Sequence, residues 1–179
     1  MDQQEKTILS EEIYNGRILK LRVDQVSIPN GNKAEREIVE HSGGVCILAL
    51  TKNNNILLVE QFRKPVDGNL LELPAGKLER DEDPLECAKR ELVEETGYQA
   101  GSIEYLFSFY TSPGYSNEII HLYQAKELKE VGVDPDENEI IINHQTSKKD
   151  ILNLINKGKI KDSKTIIGLQ YYLLGDNGA

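Results

Sequence analysis

The sequence predicts a mixed α/β fold, with strands in the first part of the chain and helices in the last part. Residues 7–29 alternate apolar and polar side chains around a turn at Asn15-Gly16, as an antiparallel meander does. Two short apolar runs separated by asparagines follow, and two amphipathic segments lie near the C-terminus. At 179 residues, we expect one domain with one core and a small N-terminal β-sheet element.

The same patterns place the individual elements. Turns are predicted at residues 29–32 and 53–55, where proline, glycine and asparagine cluster. The apolar run VCILAL reads as a buried strand, and ILLVEQF follows it. Predicted strands cover residues 7–14, 17–28, 36–41, 45–50, 56–62, 103–110 and 119–125. Predicted C-terminal helices cover residues 148–157 and 164–174.

The segment GKLERDEDPLECAKRELVEETGY, from Gly76 to Tyr98, contains the helix with the strongest functional signal. Asp83 suits the N-cap, Pro84 suits the first helical position, and Glu86 is placed to complete a capping box. Gly97 suits the left-handed residue that ends a helix. The core-facing stripe at helical spacing consists of Leu85, Ala88, Leu92 and Thr96.

Three carboxylates lie within five residues of this helix: Glu91, Glu94 and Glu95. Helical geometry predicts that they project together, roughly a quarter turn from the apolar stripe. Such a cluster is costly to hold unless a cation neutralises it, although a solvated acidic face is the plainer interpretation. Oxygen ligands favour Mg²⁺ or Mn²⁺ over zinc. Arg90 precedes Glu94 by one turn and can orient it through an ion pair.

These residues match the signature of the Nudix hydrolase family, which the chain resembles. Five residues separate Gly76 from Glu82, and seven more separate Glu82 from Arg90-Glu91. The resemblance implies an α/β/α sandwich and cleavage of a nucleoside diphosphate linked to another group. It further implies that Glu91, Glu95 and the carbonyl of Ala75 bind the metal, with Glu94 beside them. Arg90 and Glu94 would then belong to the catalytic group.

Further motifs resemble the ADP-ribose pyrophosphatase branch of the family over nearly the whole chain. They include EQFR at residues 60–63, SPG at 112–114 and DENE at 136–139. The resemblance implies hydrolysis of ADP-ribose to AMP and ribose 5-phosphate. It also implies a homodimer in which an N-terminal β element, residues 1–40, is exchanged between subunits, while residues 41–179 form the hydrolase domain.

The branch resemblance assigns a set of substrate-binding residues. Arg63 would contact the phosphates, a role that the fork of a guanidinium suits. An aromatic residue is common in the branch at the position of Arg17-Ile18, so this chain departs from the pattern there. The substrate-binding residues that the resemblance implies are Arg17, Ile18, Arg36, Glu37, Arg63, Ser112 and Glu118.

An acidic loop in this branch closes over the substrate. By position, Glu137 would accept the proton of the attacking water and Glu139 would bind metal. A shift of two residues in the alignment would exchange the two roles. An exposed acidic loop without a catalytic role is the plainer interpretation.

Composition limits the partners. The formal net charge of −9 argues against nonspecific binding to nucleic acid or to an anionic membrane. The N-terminus is acidic and lacks the apolar core of an export signal, so we expect a cytoplasmic protein. The two cysteines, Cys46 and Cys87, are predicted to be buried free thiols.

Three alternatives stay open at this point. The substrate could be another sugar nucleotide such as GDP-mannose. The chain could instead be an ADP-ribose sensor that binds without cutting, although the complete acidic signature argues against that role. It could also be an acidic module that only binds divalent ions, which gives no reason for Arg63 or the SPG turn.

Overall fold

A computed structural model describes residues 3–132 and 140–175. The chain forms two compact units. The first comprises Met1–Gly43 and Tyr110–Ile119, and the second comprises Gly44–Phe109 and Ile120–Ala179. No helix in the described ranges is both long enough and apolar enough to cross a membrane.

The first unit contains a three-stranded antiparallel sheet in the order β1-β2-β3. Its strands are β1 (Lys6–Asn15), β2 (Leu19–Ser27) and β3 (Lys33–His41). The predicted meander is therefore confirmed. β3 begins three residues earlier than predicted, because Lys33 pairs with Ser27 at the end of β2. Such pairing depends on the neighbouring strand and not on local hydrophobicity.

All ten residues of β1 are exposed, although the strand carries several large apolar side chains. Ile8, Leu9, Ile13 and Tyr14 are between 50% and 64% exposed. A strand at the edge of a sheet with apolar side chains is a typical place for pairing with another chain.

The second unit contains two sheets, one in the order β10-β5-β6 and the other in the order β7-β4-β9-β8. β4 runs parallel to β9 and antiparallel to β7, so that sheet is mixed, as the sequence predicts. The strands are β4 (Gly44–Ala49), β5 (Ile56–Arg63), β6 (Gly68–Glu72), β7 (Ala75–Lys77), β8 (Tyr98–Tyr110), β9 (Ile119–Glu130) and β10 (Ile142–Thr146). The helices are α1 (Pro84–Thr96), α2 (Lys148–Asn156) and α3 (Ser163–Gly175), with a 3-10 turn at Lys64–Val66.

The fully buried strand β4 separates two hydrophobic clusters. Val45 and Ile47 pack in the cluster that contains Ala88 and Leu92 of α1. Cys46 and Leu48 alternate with them and pack in the cluster that contains Ile151 of α2 and Leu169 of α3. Successive strand residues point to opposite faces, so helices cover both faces of the sheet. The α/β/α arrangement is confirmed.

The sequence did not indicate β6, β7 or β10. β7 has only three residues, and it exists as a strand because Ala75, Gly76 and Lys77 pair with the start of β4. Elements this short carry no periodic pattern of their own.

Candidate active site

The ends of α1 form as the sequence predicts. The Asp83 carboxylate accepts hydrogen bonds from the amides of Leu85 (2.9 Å) and Glu86 (3.3 Å). Gly97 adopts a left-handed conformation with φ 75°, and its N–H donates to the Val93 carbonyl. Glu86 was expected to complete a capping box by accepting the Asp83 N–H. Its carboxylate instead accepts from Lys89 Nζ at 2.7 Å. The helix that carries the acidic cluster thus has well-defined ends.

The prediction that Glu95 points away from the apolar stripe is wrong. Its side chain is only 4% exposed, and its carboxylate accepts the Ala75 N–H at 2.9 Å. Seven residues make nearly two full turns, so Glu95 lies about 20° around the helix from the buried Ala88. Glu95 therefore links α1 to the segment that begins β7.

Glu91 packs over Gly76, the first residue of the signature. A Cβ atom on Gly76 would lie 1.8 Å from Glu91 Cδ and 1.9 Å from Glu91 Oε1. The Glu91 carboxylate occupies the space that a Cβ atom at this position would fill, so any other side chain here would displace it. The backbone of β7 and the Glu91 carboxylate consequently lie in direct contact.

Arg90 lies at the centre of three carboxylates. Its Nε donates to Glu82 Oε1 at 2.9 Å, and its Nη1 donates to Glu91 Oε1 and Glu94 Oε2, both at 2.8 Å. The predicted Arg90–Glu94 pair is present, but Arg90 also orients the other two groups. Hydrogen bonding from Arg90 lowers the pKa of Glu82 to about 2.

Arg63, the predicted phosphate ligand, forms a bidentate pair with Glu72. Its Nε donates to Glu72 Oε1 at 2.7 Å and its Nη2 donates to Oε2 at 2.9 Å. The Glu72 side chain is 1% exposed, whereas that of Arg63 is 37% exposed. Burial acts to raise the pKa of Glu72, but the hydrogen bonds from Arg63 and Lys164 outweigh it and lower that pKa. The pair uses two of the five guanidinium donors of Arg63.

The first unit carries the residues predicted to meet the adenine. Arg36 donates from Nε and Nη2 to the Glu5 carboxylate, at 3.0 and 2.6 Å. Glu37 is exposed on the same strand, while Arg17 and Ile18 are exposed in the connection between β1 and β2. Ile18 is 65% exposed.

The first unit also carries Ser112 and Glu118. The Ser112 carbonyl accepts the amides of Tyr115 (3.1 Å) and Ser116 (2.9 Å), which closes the SPG turn. Glu118 Oε2 accepts from Thr111 Oγ1 at 2.6 Å, and its Oε1 lies 3.3 Å from His41 Nδ1. The turn and the hydroxyl contact hold Glu118 in a defined orientation. Glu137 and Glu139, the predicted loop residues, lie outside the described residues.

The donor set on α1 and β7 suits a hard divalent cation. Glu91, Glu94, Glu95 and the Ala75 carbonyl offer only oxygen, and the lack of a side chain at Gly76 leaves room for the Glu91 carboxylate itself. Within residues 3–132 and 140–175, no three acidic, imidazole or thiol side chains converge closely enough to hold an ion by themselves. The oxygen donors of these residues fit the chemistry of a hard divalent cation.

Glu72 and Lys164 are not among the site residues predicted from the sequence. Lys164 Nζ donates to the Glu72 carboxylate and also lies 3.0 Å from Asp162 Oδ2. A signal was available at Glu72, since a carboxylate within the apolar run LLELP has to be paired if that run is buried. No local signal connects it to Lys164, which lies 92 residues away.

Comparisons with known proteins agree with this geometry. A model of the NUDIX domain matches residues 40–160, and a model of the nucleoside diphosphate sugar hydrolase N-terminal domain matches residues 5–39. The chain is 49% identical over 173 residues to a protein of Bacillus methanolicus named methanol dehydrogenase activator. It is 43% identical over 173 residues to an ADP-ribose pyrophosphatase of Bacillus subtilis. Both alignments cover 96% of this chain and 94% of the relative.

A solved structure described as an ADP compounds hydrolase has the same fold. The TM-score is 0.85 at 18% identity, covering 99% of this chain and 98% of the other. A mixed α/β sandwich that carries this acidic helix defines the Nudix class of hydrolases. The chain belongs to the Nudix family, whose hydrolases generally need a divalent metal ion.

Proposed function

We propose that this protein is an ADP-ribose pyrophosphatase that hydrolyses the diphosphate linkage of ADP-ribose to AMP and ribose 5-phosphate. The observation that carries the proposal is the ordered acidic group on α1, in which Arg90 and Gly76 define the position of Glu91. The 43% identity to the Bacillus subtilis ADP-ribose pyrophosphatase supports the choice of substrate.

Each residue has a proposed role in this reaction. Glu91, Glu95, the Ala75 carbonyl and Glu139 would hold Mg²⁺, for which Mn²⁺ can substitute. When bound, the metal neutralises the diphosphate and lowers the pKa of the attacking water. Glu137 would take the proton from that water as its oxygen attacks one phosphorus and the bridging P–O bond breaks.

The remaining contacts bind and orient the substrate. The N–H groups of Arg63 that do not donate to Glu72 would bind phosphate oxygens. Arg90, of the proposed catalytic group, would keep Glu91 and Glu94 in place. Arg17, Ile18, Arg36 and Glu37 would bind near the adenine, Ser112 would contact the substrate, and Glu118 would contact the substrate or a metal-bound water.

We further propose a homodimer in which the N-terminal β element, residues 1–40, is exchanged between subunits and completes the partner's site. The exposed apolar side chains of β1 support this assembly. The net charge of −9 supports a protein that does not bind nucleic acid. The two buried free thiols are consistent with the cytoplasm as its compartment.

A second candidate function is the activation of an alcohol dehydrogenase. The 49% identity to the methanol dehydrogenase activator favours it, because that identity extends over 96% of this chain. Hydrolysis and activation can coexist in one protein, since the acidic signature is complete. The rate of methanol oxidation by methanol dehydrogenase, measured with and without this protein and with and without Mg²⁺, tests this candidate.

A substrate panel tests the main proposal. ADP-ribose, GDP-mannose and other nucleoside diphosphate sugars are incubated with Mg²⁺ and the protein, and a phosphatase then releases phosphate from the monoester products. We expect ADP-ribose to give the highest kcat/KM, with activity lost in excess chelator and restored by Mg²⁺ or Mn²⁺. A higher kcat/KM for GDP-mannose would identify that compound as the substrate in place of ADP-ribose. Full activity in excess chelator would overturn the metal-assisted mechanism.

A further inference from the structure

The helix α3 begins beyond the NUDIX match, which ends at residue 160, and yet it is bonded to the backbone beside the acidic cluster. Thr165 bonds the backbone of this segment, Lys164 bonds the Glu72 side chain within it, and Asp162 bonds both Lys164 and Thr165. We call these three residues the C-terminal brace. Asp162 precedes the helix, and its carboxylate accepts the Thr165 N–H at 3.0 Å, as an N-cap residue does.

The brace holds two consecutive residues of the chain that leads to the site. Lys164 Nζ donates to the Glu72 carboxylate, and the Lys164 side chain is only 16% exposed. Thr165 Oγ1 accepts the Leu73 N–H at 2.8 Å and donates to Asp162 Oδ2 at 2.6 Å. Thr165 is fully buried, so these bonds are shielded from water.

The next residues of the same segment are bonded to β4 and α1. The Pro74 carbonyl accepts the Ile47 N–H at 2.8 Å, and the Ala75 N–H donates to Glu95. Gly76 then lies against Glu91. Residues 72–76 are therefore fixed by α3 at one end and by α1 at the other, with the proposed metal-binding carbonyl of Ala75 between them.

The brace also acts on Arg63 through electrostatics. Two cations, Arg63 and Lys164, face two carboxylates, Glu72 and Asp162, so the formal charges of these four side chains cancel. Without Lys164 the cluster would carry a net negative charge, and Glu72 would be left with Arg63 as its sole cation. The attraction of Arg63 for an anionic substrate would fall accordingly.

We propose that Lys164 is a positioning residue for the hydrolytic site, which neutralises Glu72 so that Arg63 remains available to substrate phosphates. With Thr165 it also fixes the segment that presents the Ala75 carbonyl. This inference rests on the proposed hydrolysis of a nucleoside diphosphate sugar, and it extends the site to a helix beyond the NUDIX match.

Kinetics of three variants test the electrostatic part. Lys164→Met should raise KM for ADP-ribose about tenfold, the scale of a lost hydrogen bond to a charged group, and change kcat less than about threefold. Lys164→Arg should restore most of the affinity, because it returns the charge. Lys161→Met is the matched control, since Lys161 is an exposed lysine three residues earlier, and its KM should stay within about twofold of wild type. Equal KM values in Lys164→Met and Lys161→Met would overturn the electrostatic role.

Hydrogen–deuterium exchange tests the positioning part without any substrate. Lys164→Met and Thr165→Val should both speed exchange at the Leu73 and Ala75 amides, whereas Lys161→Met should not. Unchanged exchange in both variants would overturn the bracing role even if the wild-type protein hydrolyses ADP-ribose. If the wild type hydrolyses no substrate in the panel, the proposed function fails and the exchange result alone decides this inference. Thr165→Val keeps the experiment decisive if Lys164→Met does not fold.

Discussion

At the scale of single residues, the contact between Gly76 and Glu91 gives the sharpest expectation. Gly76→Ala would place a methyl group 1.8 Å from Glu91 Cδ. The atom that must move is the end of a flexible side chain, so we expect the fold to persist while the carboxylate is displaced. The variant should lose at least tenfold in kcat with a small change in melting temperature. Gly175→Ala, where no atom lies within 4 Å of the added Cβ, is the control and should behave as wild type.

Glu95 combines a structural contact with a proposed metal contact. Glu95→Gln keeps an oxygen that can accept the Ala75 N–H, so the melting temperature should change little. Loss of the charge should nevertheless lower kcat by two or more orders of magnitude on the scale roughly typical of an essential catalytic group. The kcat and melting temperature of Glu95→Gln are compared with those of Glu94→Gln. Glu94 is 38% exposed, and its carboxylate accepts a hydrogen bond from Arg90. Near-normal turnover in Glu95→Gln would contradict the proposed role.

Glu137 and Glu139 are expected to differ in kinetics. Glu137→Gln should lower kcat far more than it raises KM, because a general base acts in the transition state. Glu139→Gln should weaken the binding of metal and of substrate together, because a metal ligand is lost. Steady-state kinetics across a Mg²⁺ titration separates the two. If both variants keep kcat within about threefold of wild type, short of the 10²–10⁴-fold typical of acid–base catalysis, Glu94 becomes the next candidate for the base.

At the scale of elements, α1 is tied to the loop before it by the Glu82–Arg90 pair. The pKa of Glu82 is about 2 in the folded protein, against an ordinary value of 4.5. A carboxyl group whose pKa is lowered on folding contributes stability above its ordinary pKa and loses that contribution as pH falls through the folded value.

Glu82→Gln should therefore be less stable than wild type at neutral pH, and the difference should shrink as the pH falls from about 4.5 toward 2. Urea unfolding at several pH values measures it. Glu86→Gln is the matched control, because Glu86 is exposed and forms only a surface pair with Lys89. A stability difference for Glu82→Gln that is independent of pH would contradict the ionic origin of the effect.

At the scale of the whole molecule, the exposed apolar side chains of β1 lead to an expectation about assembly. Light scattering should give twice the chain mass of 20.2 kDa at micromolar concentration. Leu9→Glu combined with Ile13→Glu should weaken the dimer and lower activity, because it puts charges on a surface that the proposed exchange buries. Leu174→Glu, which alters a 69% exposed leucine at the end of α3, should leave both unchanged. An active wild-type monomer would refute the exchange.

The sequence by itself was sufficient for the local features of this protein. Asp83, Pro84 and Gly97 define the ends of α1 because their effects act within one helical turn. The continuous apolar run in β4 predicted its burial, because a strand covered on both faces carries apolar residues at successive positions. The acidic signature, read at fixed spacing, identified the family that the comparisons confirm.

Only the tertiary structure decided how these parts support one another. Glu95 is buried against Ala75, Arg63 is held by Glu72, and Glu72 is held by Lys164, 92 residues further along the chain. None of these partners can be read from local periodicity. A buried charge is stable only beside a partner, and chain folding determines which partner is near.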